Sequence, residues 1–418
     1  MSLPRGLRDY SPQDAEKFEL IRNEFVRACS LYGFKMMEPS PLEMLETLEA
    51  KSGPQIRDEI YYFKDKGGRD LGLRFDLTVG MTRYVCSDRS APLPVKLAAF
   101  AGVFRYDEPQ HGRYRWFYQW DVECYGSAHI EADAEMISFT SQLLKSCGLE
   151  KPVLKVGDKG IVQEYIEKST RRSGDAVVEL MRLLDKVDKR TKEQLTSEYT
   201  QKGFTADEVD SVLKFGELEG SAREVISRVR EQGLKSVERL EELSSMLKST
   251  KTDFNLSLRI VRGIDYYTST VFEAFDPSRP DLGSIAGGGR FDNLAKIFGR
   301  DDLPATGVAG GVERLMLALR EAPSTETERK VYIACTTDMI REAMGIASNL
   351  RINGIPALMD LQRRSLSKQL EVASKQGYRR VVIVGPKEYS SGNVVVRNME
   401  ERTESTVPLS NLVREIGG

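Results

Sequence analysis

The sequence predicts an α+β fold in which helices flank an antiparallel β-sheet, with a helical insertion and a separate C-terminal α/β domain. Three observations support this prediction. Two strand-like arms, residues 95–105 and 116–126, are joined by a polar turn containing Gly and Pro, which is typical of an antiparallel pair. Residues 170–250 are dominated by charged, helix-forming residues and contain few aromatics. Beyond residue 328, strand patterns alternate with helix patterns.

The length and charge of the chain limit what it can be. It has 418 residues, more than the ~250–300 residues that one hydrophobic core usually serves, so two or three domains are expected. The 61 Lys and Arg residues balance 63 Asp and Glu, for a net charge of −2. Any contact with nucleic acid must therefore come from local basic patches rather than from a basic field over the whole protein.

The sequence shows neither a targeting signal nor closely spaced cysteine pairs. No apolar run reaches the ~18 residues that would span a bilayer, and residues 1–6 lack the apolar core of a signal peptide. We therefore expect no membrane contact. The five cysteines are scattered and form no Cys-x-x-Cys pair, which favours reduced thiols, a cytoplasmic protein and no structural zinc site.

Histidine is scarce, because only His111 and His129 occur. This nearly excludes His-based triads and multi-His metal centres. His129 is interpreted as a helix-start or surface residue. His111 lies in the hairpin turn, where it is either a solvated loop residue or a contact for nucleic acid.

The first predicted helix begins at Ser11 and Pro12, a hydroxyl N-cap followed by proline at the first helical position. An apolar stripe at helical spacing continues to Tyr32, and Gly33 is the expected C-cap. The next predicted elements are, in order, a strand at 34–39, a strand at 71–78 leading into a helix near 79–85, the two hairpin arms, a helix at 132–147, a strand at 153–156 and a helix after Asp158.

Strand patterns return after the helical insertion, at 255–260 and 266–275. A glycine-rich segment follows at 286–293, and residues 307–319 read as a small-residue strand turning into a helix. The polar, Pro-containing stretch 321–328 predicts a domain boundary. The predicted C-terminal elements are a strand at 331–335, a helix at 339–353, a strand at 355–359, a helix at 366–375, a strand at 381–384 and a hairpin at 394–397 and 406–407.

The hairpin is the most informative segment for chemistry. Arg105, Arg113 and Arg115 stand at its ends and across its turn, and arginine suits planar, bidentate capture of phosphate oxygens. On the returning arm, acceptors occupy the alternate positions 119, 121 and 123, which places an amide and two carboxylates on one face of the sheet. A phosphate-binding cation group beside an ammonium-binding acidic patch fits a nucleotide and an amino acid.

Three further features have two interpretations when each is taken alone. Arg262 is either a surface ion-pair partner or a catalytic cation. The three glycines at 287–289 form either a flexible turn or a phosphate cradle, and they match neither a P-loop nor a dinucleotide fingerprint. Arg314, near the start of a helix, either faces water or meets a phosphate. Asp76 has no partner visible in the sequence.

Together, and in this order, the segments resemble a histidyl-tRNA synthetase, a class II aminoacyl-tRNA synthetase of the archaeal and eukaryotic type, over nearly the whole chain. The strongest match is 261–268 with 271–273, which resembles a signature peculiar to the histidine enzyme. The other matches are the family's first motif (the N-terminal helix with Pro39), its second (104–123), its third (307–319) and a class IIa anticodon-binding domain (350–355 and 365–369).

The resemblance implies a site for ATP. Arg105 would hold the α-phosphate, and Arg262 would lie on the other side of that phosphorus, in place of the metal that related enzymes use. Preorganised cations of this kind stabilise the pentacoordinate state. The remaining ATP-binding residues would be Arg314 at the γ-phosphate, Asp107 and Arg113 beside the nucleotide, and Phe117 stacked on the adenine.

The resemblance also implies a histidine pocket. Asp76 and Glu123 would bind the α-ammonium, and Tyr266 and Tyr267 would close on the imidazole. Phe291 stands where the family commonly has tyrosine. The other residues of this pocket would be Leu77, Thr78 and Gln119, and Gln110 would be a candidate contact for the acceptor end of the tRNA.

The implied activity is a histidine–tRNA ligase that uses ATP with Mg²⁺, forms histidyl-adenylate from L-histidine and transfers histidine to tRNA(His). The implied layout is a class II catalytic domain at 1–325, interrupted by the insertion at 170–250, and an anticodon-binding domain at 328–418. The N-terminal motif implies a homodimer, and spacing assigns no magnesium ligand.

Three alternatives stay open. One is a catalytically silent paralogue, such as the regulatory subunit of a phosphoribosyltransferase; such paralogues typically lack the anticodon domain and lose the arginines that this chain keeps. Another is a synthetase-like RNA sensor. The third is a synthetase for another amino acid, which the 262–268 signature opposes.

Overall fold

The computed structural model describes residues 3–106, 108, 114–187, 190–261, 266–319 and 330–417. The chain divides into two compact units, Met1–Arg320 and Glu321–Gly418. Within the described ranges, no helix combines the length and apolar character needed to cross a bilayer. All five cysteines are buried and free.

The first unit mixes strands and helices. Its strands are β1 (Lys35–Met36), β2 (Leu42–Met44), β3 (Tyr62–Lys64), β4 (Asp70–Leu73), β5 (Val95–Phe104), β6 (Trp116–Tyr125), β7 (Val153–Asp158), β8 (Glu219–Gly220), β9 (Asn255–Ser257), β10 (Thr270–Phe275), β11 (Ser284–Arg290) and β12 (Ala305–Gly311). Its helices are α1 (Pro12–Tyr32), α2 (Leu45–Ser52), α3 (Thr78–Ser87), α4 (Ile130–Ser146), α5 (Lys159–Thr170), α6 (Asp175–Asp185), α7 (Lys192–Gln201), α8 (Ala206–Gly216), α9 (Ala222–Glu231), α10 (Val237–Ser249), α11 (Leu294–Ile297) and α12 (Val312–Ala318).

One large sheet organises this unit. Among the described residues it has nine strands in the order β1-β5-β6-β12-β11-β10-β7-β9-β8. The pairs β1/β5 and β7/β9 are parallel and the other pairs are antiparallel. The predicted α+β fold, with an antiparallel sheet and flanking helices, is therefore confirmed.

The start of α1 shows how the local sequence sets an element boundary. The Ser11 hydroxyl accepts the Asp14 N–H at 3.1 Å, and the Asp14 carboxylate accepts the Ser11 N–H at 3.1 Å. Gly33 ends the helix with φ 74°, a left-handed conformation that glycine adopts without penalty. The predicted helix and both caps are confirmed.

Several predicted strands are shorter than their sequence patterns; the strand at 34–39, for example, is only Lys35–Met36, and the strand at 255–260 is only Asn255–Ser257. The 71–78 strand ends at Leu73, because the Asp76 carboxylate caps α3 by accepting the Val79 N–H at 3.2 Å. The 266–275 strand begins only at Thr270. The Thr268 N–H donates to the Arg290 carbonyl at 2.7 Å instead of extending the ladder.

The stretch predicted as a helical insertion contains α6 to α10, as expected, but also the two-residue strand β8. Glu219 pairs with Ser257 of β9, so the insertion joins the edge of the main sheet. Two residues are too few to show a period in the sequence.

The two faces of the main sheet are covered differently. On one face, Trp120 and Val122 of β6 pack with Phe25 of α1 and Phe139 of α4 in the largest core. On the other face, Tyr125 packs with residues of α3 and α11 in a smaller cluster. The candidate site lies on this second face.

The second unit has a five-stranded sheet in the order β14-β13-β15-β16-β17 among the residues described. Strands β13, β14 and β15 are parallel, and the last two are antiparallel. Its elements are β13 (Val331–Cys335), α13 (Ile340–Ile352), β14 (Ala357–Met359), α14 (Leu366–Lys375), β15 (Arg380–Val384), α15 (Pro386–Ser390), β16 (Asn393–Asn398), β17 (Thr403–Pro408) and α16 (Leu412–Gly417). This matches the predicted β/α alternation and terminal hairpin.

Candidate active site

Strand β6 supplies the polar floor of the site. Alternate residues point to opposite faces of a strand, and Trp120, Val122 and Cys124 all lie in the core below. The intervening residues therefore face the cleft. They are, from one end to the other, Phe117, Gln119, Asp121, Glu123 and Tyr125.

Small residues on β12 leave room above these side chains. Gly307 lies opposite Glu123, Ala309 opposite Asp121, and Gly311 opposite Gln119. A Cβ on Gly307 would lie 2.8 Å from Glu123 Cγ, so any larger residue there would displace the carboxylate.

The structure also explains the glycines at 287–289. They lie within β11, so the reading as a flexible turn is wrong. A Cβ on Gly289 would lie 2.9 Å from Tyr267 Cδ1. Glycine here allows the segment carrying Tyr267 to pack closely against the sheet.

Buried hydrogen bonds fix the carboxylates of the floor. Glu123 is 1% exposed and accepts a hydrogen bond from the Tyr125 hydroxyl, which lies 3.0 Å from Thr82 Oγ1. The Thr78 hydroxyl donates to Asp121 at 3.3 Å. Burial, and then the charge of Glu123, raise the pKa of Tyr125 well above its usual value. The phenol therefore keeps its proton and donates it in the hydrogen bond to Glu123.

Gln119 is the polar floor residue with spare bonding capacity. It is 9% exposed, and its Oε1 has no hydrogen-bond partner among the residues that the structure describes. A buried amide oxygen of this kind is costly unless a ligand or water satisfies it. Gln119 is therefore placed to accept a hydrogen bond from a polar substrate.

Two tyrosines and a phenylalanine form an aromatic wall beside the carboxylates. The Tyr266 ring stacks on Phe291 with centroids 5.0 Å apart and planes at 16°, and it meets Tyr267 edge-on at 4.8 Å. Burial, then Glu123, Tyr267 and Asp76, raise the pKa of the Tyr266 phenol well above its usual value. Tyr266 therefore lies within electrostatic reach of both carboxylates.

The segment 76–78 forms another wall. Asp76 caps α3, as described above, Leu77 is fully buried, and Thr78 reaches Asp121. The Asp76 carboxylate is thus held at a helix N-terminus, where the helix dipole favours negative charge.

Arg105 lies at the other end of the β6 row. Its Nε donates to the Phe75 carbonyl at 3.0 Å, and its guanidinium lies 5.2 Å from the centroid of the Phe117 ring. Its own N–H donates to the Arg115 carbonyl at 2.9 Å. The cation is therefore held where β5 ends and β6 begins.

Arg314 lies at the same end of the sheet. It belongs to α12, which begins directly after β12, and its Nη1 donates to the Ser284 carbonyl at 2.8 Å. The register pairs Gly311 with Gln119, so α12 starts at the end of β12 near Phe117. The cleft therefore has cations at one end and carboxylates at the other.

Four predicted site residues, Asp107, Gln110, Arg113 and Arg262, lie outside the described residues. The structure brings together, on one side of the sheet, Asp76, Leu77, Thr78, Glu123, Tyr266 and Tyr267. Gln119 and Phe117 follow along β6, and Arg105 lies directly after β5. Within the described part of the chain, no group of three or more His, Cys, Asp or Glu side chains could hold a metal ion.

Three residues that contribute to the site were not predicted from the sequence. Tyr125 is two residues beyond Glu123 in the same alternating pattern, so the sequence could have predicted that it faces the cleft. Lys159, whose Nζ donates to the Tyr267 carbonyl at 2.9 Å, carries no signal because the contact depends on the tertiary fold. Glu313, buried beside Arg314, was read only as part of a helix.

Two family models match the chain. Residues 6–315 match "Histidyl-tRNA synthetase", and residues 330–417 match "Anticodon binding domain". The chain is also similar to the histidine–tRNA ligase of Pyrococcus horikoshii, with 38% identity over 428 residues, covering 99% of this chain and 97% of that protein.

Two solved structures share the fold. Histidyl-tRNA synthetase from Nostoc sp. superposes with a TM-score of 0.85 at 22% identity, covering 100% of this chain and 98% of the other. A Bacillus halodurans protein, described as an ATP phosphoribosyltransferase regulatory subunit/histidyl-tRNA synthetase, gives a TM-score of 0.76 at 24% identity, covering 92% of this chain and 98% of the other.

Proposed function

Since the chain belongs to the histidyl-tRNA synthetase family, its activity is the ATP-dependent ligation of histidine to tRNA, and we propose that the cleft above β6 is where this occurs. The family's reaction has two steps. The histidine carboxylate attacks the α-phosphorus of ATP and pyrophosphate leaves. A terminal ribose hydroxyl of the tRNA then attacks the acyl carbon and AMP leaves.

Histidine binds at the acidic, aromatic end of the cleft. Glu123 and Asp76 pair with the α-ammonium, and Tyr266 and Tyr267 enclose the imidazole. Buried Glu123, together with the carboxylate of Asp76, forms a site that favours a cation. Tyr125, hydrogen-bonded to Glu123, supplies a hydroxyl near Phe291, where the family commonly has tyrosine.

Gln119 and the 76–78 segment complete this pocket. The unsatisfied Gln119 Oε1 accepts a hydrogen bond from histidine, and Leu77 and Thr78 line the wall. A pocket that hydrogen-bonds a polar side chain rejects analogues lacking it by roughly 10⁴–10⁵. A pocket with this selectivity needs no editing step.

ATP binds at the cationic end. Arg105 holds the α-phosphate, Arg314 the γ-phosphate, and Phe117 packs against the adenine. We assign Asp107 and Arg113 to the nucleotide as well, and Arg262 to the α-phosphate together with Arg105. Magnesium enters with ATP, since this ion is commonly bound by one or two carboxylates plus substrate phosphates.

Charge stabilisation is the main catalytic device in this arrangement. Negative charge grows on the oxygens around the α-phosphorus during attack by the carboxylate. We assign the stabilisation of that charge to two guanidinium groups, those of Arg105 and Arg262. The hydrogen bond from Arg105 to the Phe75 carbonyl limits the motion of its side chain before the substrates bind.

The remaining partners follow from the domain plan, with the catalytic domain at 1–325 and the anticodon-binding domain at 328–418. The latter binds the anticodon of tRNA(His), and Gln110 contacts the acceptor end. Exposed apolar side chains on β2 and β3 support a homodimer interface near the N-terminal motif: Leu42 40%, Met44 38%, Tyr62 50% and Phe63 44% exposed. The buried, unpaired cysteines support a cytoplasmic location.

The observation that carries this proposal is the segregation of charge along one strand face, carboxylates with tyrosines at one end and arginines at the other. The test is ATP–pyrophosphate exchange with each amino acid. Exchange should require histidine, and Arg105→Ala should lower its rate roughly 10²–10³-fold. Arg89→Ala, an exposed arginine bonded to the Gly299 carbonyl at 3.1 Å, is the matched control.

Two outcomes would count against the proposal. Exchange that is absent with histidine, in a protein that still binds it, would indicate a silent paralogue or an RNA sensor. Normal exchange in Arg105→Ala would remove this residue from the catalytic step.

A further inference from the structure

The segment that precedes α1, residues 5–10, contacts two separate elements that carry proposed ATP-binding residues: the flanks of the β5–β6 connection, and α12. We call it the N-terminal strap. At one side, the Arg115 N–H donates to the Gly6 carbonyl at 2.8 Å, and Arg5 forms an exposed ion pair with Glu108 at 2.8 Å. These contacts attach the strap to both flanks of the β5–β6 connection.

Arg8 and Tyr10 pack the strap onto the start of β6. The Arg8 guanidinium lies 4.6 Å from the ring centroids of both Tyr10 and Tyr114. Tyr10 meets Trp116 edge-on at 5.7 Å and Tyr118 at 6.3 Å. Such cation–π and edge-to-face contacts fix ring orientation as well as burying area.

The other attachment is a buried hydrogen bond to α12. The Tyr10 hydroxyl donates to Glu313 Oε1, and the Tyr118 N–H donates to the two Glu313 oxygens at 2.9 and 3.2 Å. Glu313 is 3% exposed. Burial raises the pKa of Glu313, and burial and the nearby Glu313 raise the pKa of Tyr10. The bonded proton therefore stays on the phenol.

The position of Glu313 makes this bond relevant to ATP. Glu313 is adjacent to Arg314, and their helix α12 has seven residues. A helix this short is not stable by itself and takes its position from tertiary contacts. The contacts of Glu313 with Tyr10 and with β6 are such contacts, whereas Arg314 itself is bonded to the start of β11.

We propose that Tyr10 is a positioning residue for ATP: through Glu313 it fixes α12 and Arg314, and the rest of the strap fixes the flanks of the β5–β6 connection relative to that helix. This inference rests on the proposed ATP site. The strap thereby couples two groups of phosphate-binding residues that are remote in sequence, since Tyr10 and Glu313 are 303 residues apart.

The test is steady-state ATP–pyrophosphate exchange by the full-length chain carrying Tyr10→Phe. Loss of a hydrogen bond to a carboxylate should raise KM for ATP about five- to tenfold, with kcat and KM for histidine unchanged. Tyr118→Phe is the matched control, because it removes a hydroxyl from the same aromatic cluster but keeps the backbone donor to Glu313. Its KM values should equal those of the wild type.

A double-mutant cycle separates positioning from general destabilisation. If Tyr10 acts through Glu313, Tyr10→Phe and Glu313→Gln should be non-additive in KM for ATP. Equal increases in KM for both substrates, or additive effects, would overturn the strap's role.

An unchanged KM for ATP in Tyr10→Phe, alongside a raised KM in Arg314→Ala, would also overturn it while leaving the proposed function intact. Unchanged KM for ATP in Arg314→Ala would instead overturn the assigned ATP site, and the strap's role with it.

Discussion

The main sheet and the helical insertion use ion pairs in opposite ways. In the sheet, Arg290 and Asp133 pair at 3.0 Å with side-chain exposures of 2% and 1%. In the insertion, Glu198 pairs with Lys186 at 2.7 Å and with Lys202 at 3.1 Å, and the two lysines are 33% and 38% exposed. Buried charges must be paired, whereas exposed pairs are weakened by water. The difference indicates that the buried pair fixes the positions of the segments it joins, whereas the exposed pairs contribute little to the structure.

The buried pair is linked to the segment that carries Tyr266 and Tyr267, which we propose encloses the histidine side chain. Asp133 also accepts hydrogen bonds from Arg239 of α10 at 2.6 Å and from Thr270 at 3.2 Å. The Arg290 carbonyl accepts the Thr268 N–H at 2.7 Å. The network therefore holds the segment that carries Tyr266 and Tyr267, and it joins the insertion to the sheet.

The insertion depends instead on an apolar interior. Leu180, Leu184, Val209 and Leu243 are nearly fully buried. The helices α7, α8 and α9 of the insertion begin with capping boxes. Substitutions in these two regions should therefore differ in how much they change the free energy of unfolding.

Arg290→Met should have the largest effect. It leaves Asp133 buried with one fewer cationic partner, so the free energy of unfolding should fall by about 3–5 kcal/mol. Urea denaturation followed by circular dichroism measures this. Adding Asp133→Asn should recover part of the loss, because the uncompensated charge is removed. A loss below about 1 kcal/mol would show that the buried pair behaves like a surface pair.

Gly310→Ala in the sheet and Gly216→Ala in the insertion together test how rigidly the two regions are packed. A Cβ on Gly310 would overlap the buried Trp120 indole, whereas one on Gly216 of α8 would overlap Leu184 Cδ2, the end of a flexible side chain. Gly310→Ala should cost about 1–3 kcal/mol of unfolding free energy through overpacking. Gly216→Ala should cost less, because Leu184 can change rotamer. Equal midpoints in urea would contradict this contrast.

Ser221→Ala tests the helix caps of the insertion. The Ser221 hydroxyl accepts the Glu224 N–H at 3.4 Å, and the Glu224 carboxylate accepts the Ser221 N–H at 3.3 Å. Removing this capping box should lower the free energy of unfolding by about 1 kcal/mol. Ser221→Asp, which retains an N-cap acceptor, should stay close to the wild type in the same thermal melts.

Glu198→Gln should have the smallest effect on stability, and the effect should depend on pH. Hydrogen bonds from Lys186 and Lys202 lower the pKa of Glu198 from 4.5 to about 2. A depressed carboxyl pKa stabilises the fold above the unfolded value, and this contribution is lost as the pH falls from 4.5 towards 2. Melting temperatures of Glu198→Gln should therefore decline less steeply over that window. An unchanged slope would show that the pairs contribute nothing measurable.

Much of the fold was predictable from local sequence. The cap at Ser11 and Pro12, the hairpin arms and the strand-to-helix turn before α12 were all read correctly, because capping, alternation and helical period are properties of neighbouring residues. The same alternation placed Gln119, Asp121 and Glu123 on one face. The ends of strands were predicted less accurately. Asp76, for example, caps a helix although residues 71–78 have the composition of a strand.

The sequence by itself determined the order of elements, the polar face of β6 and the family resemblance, because each depends on spacing along the chain. The tertiary structure alone decided which distant groups meet: Tyr10 with Glu313, Arg290 with Asp133 and Tyr266 with Phe291. Such contacts leave no period in the sequence. They arise when burial of the apolar faces brings remote segments together and each buried polar group must find a partner.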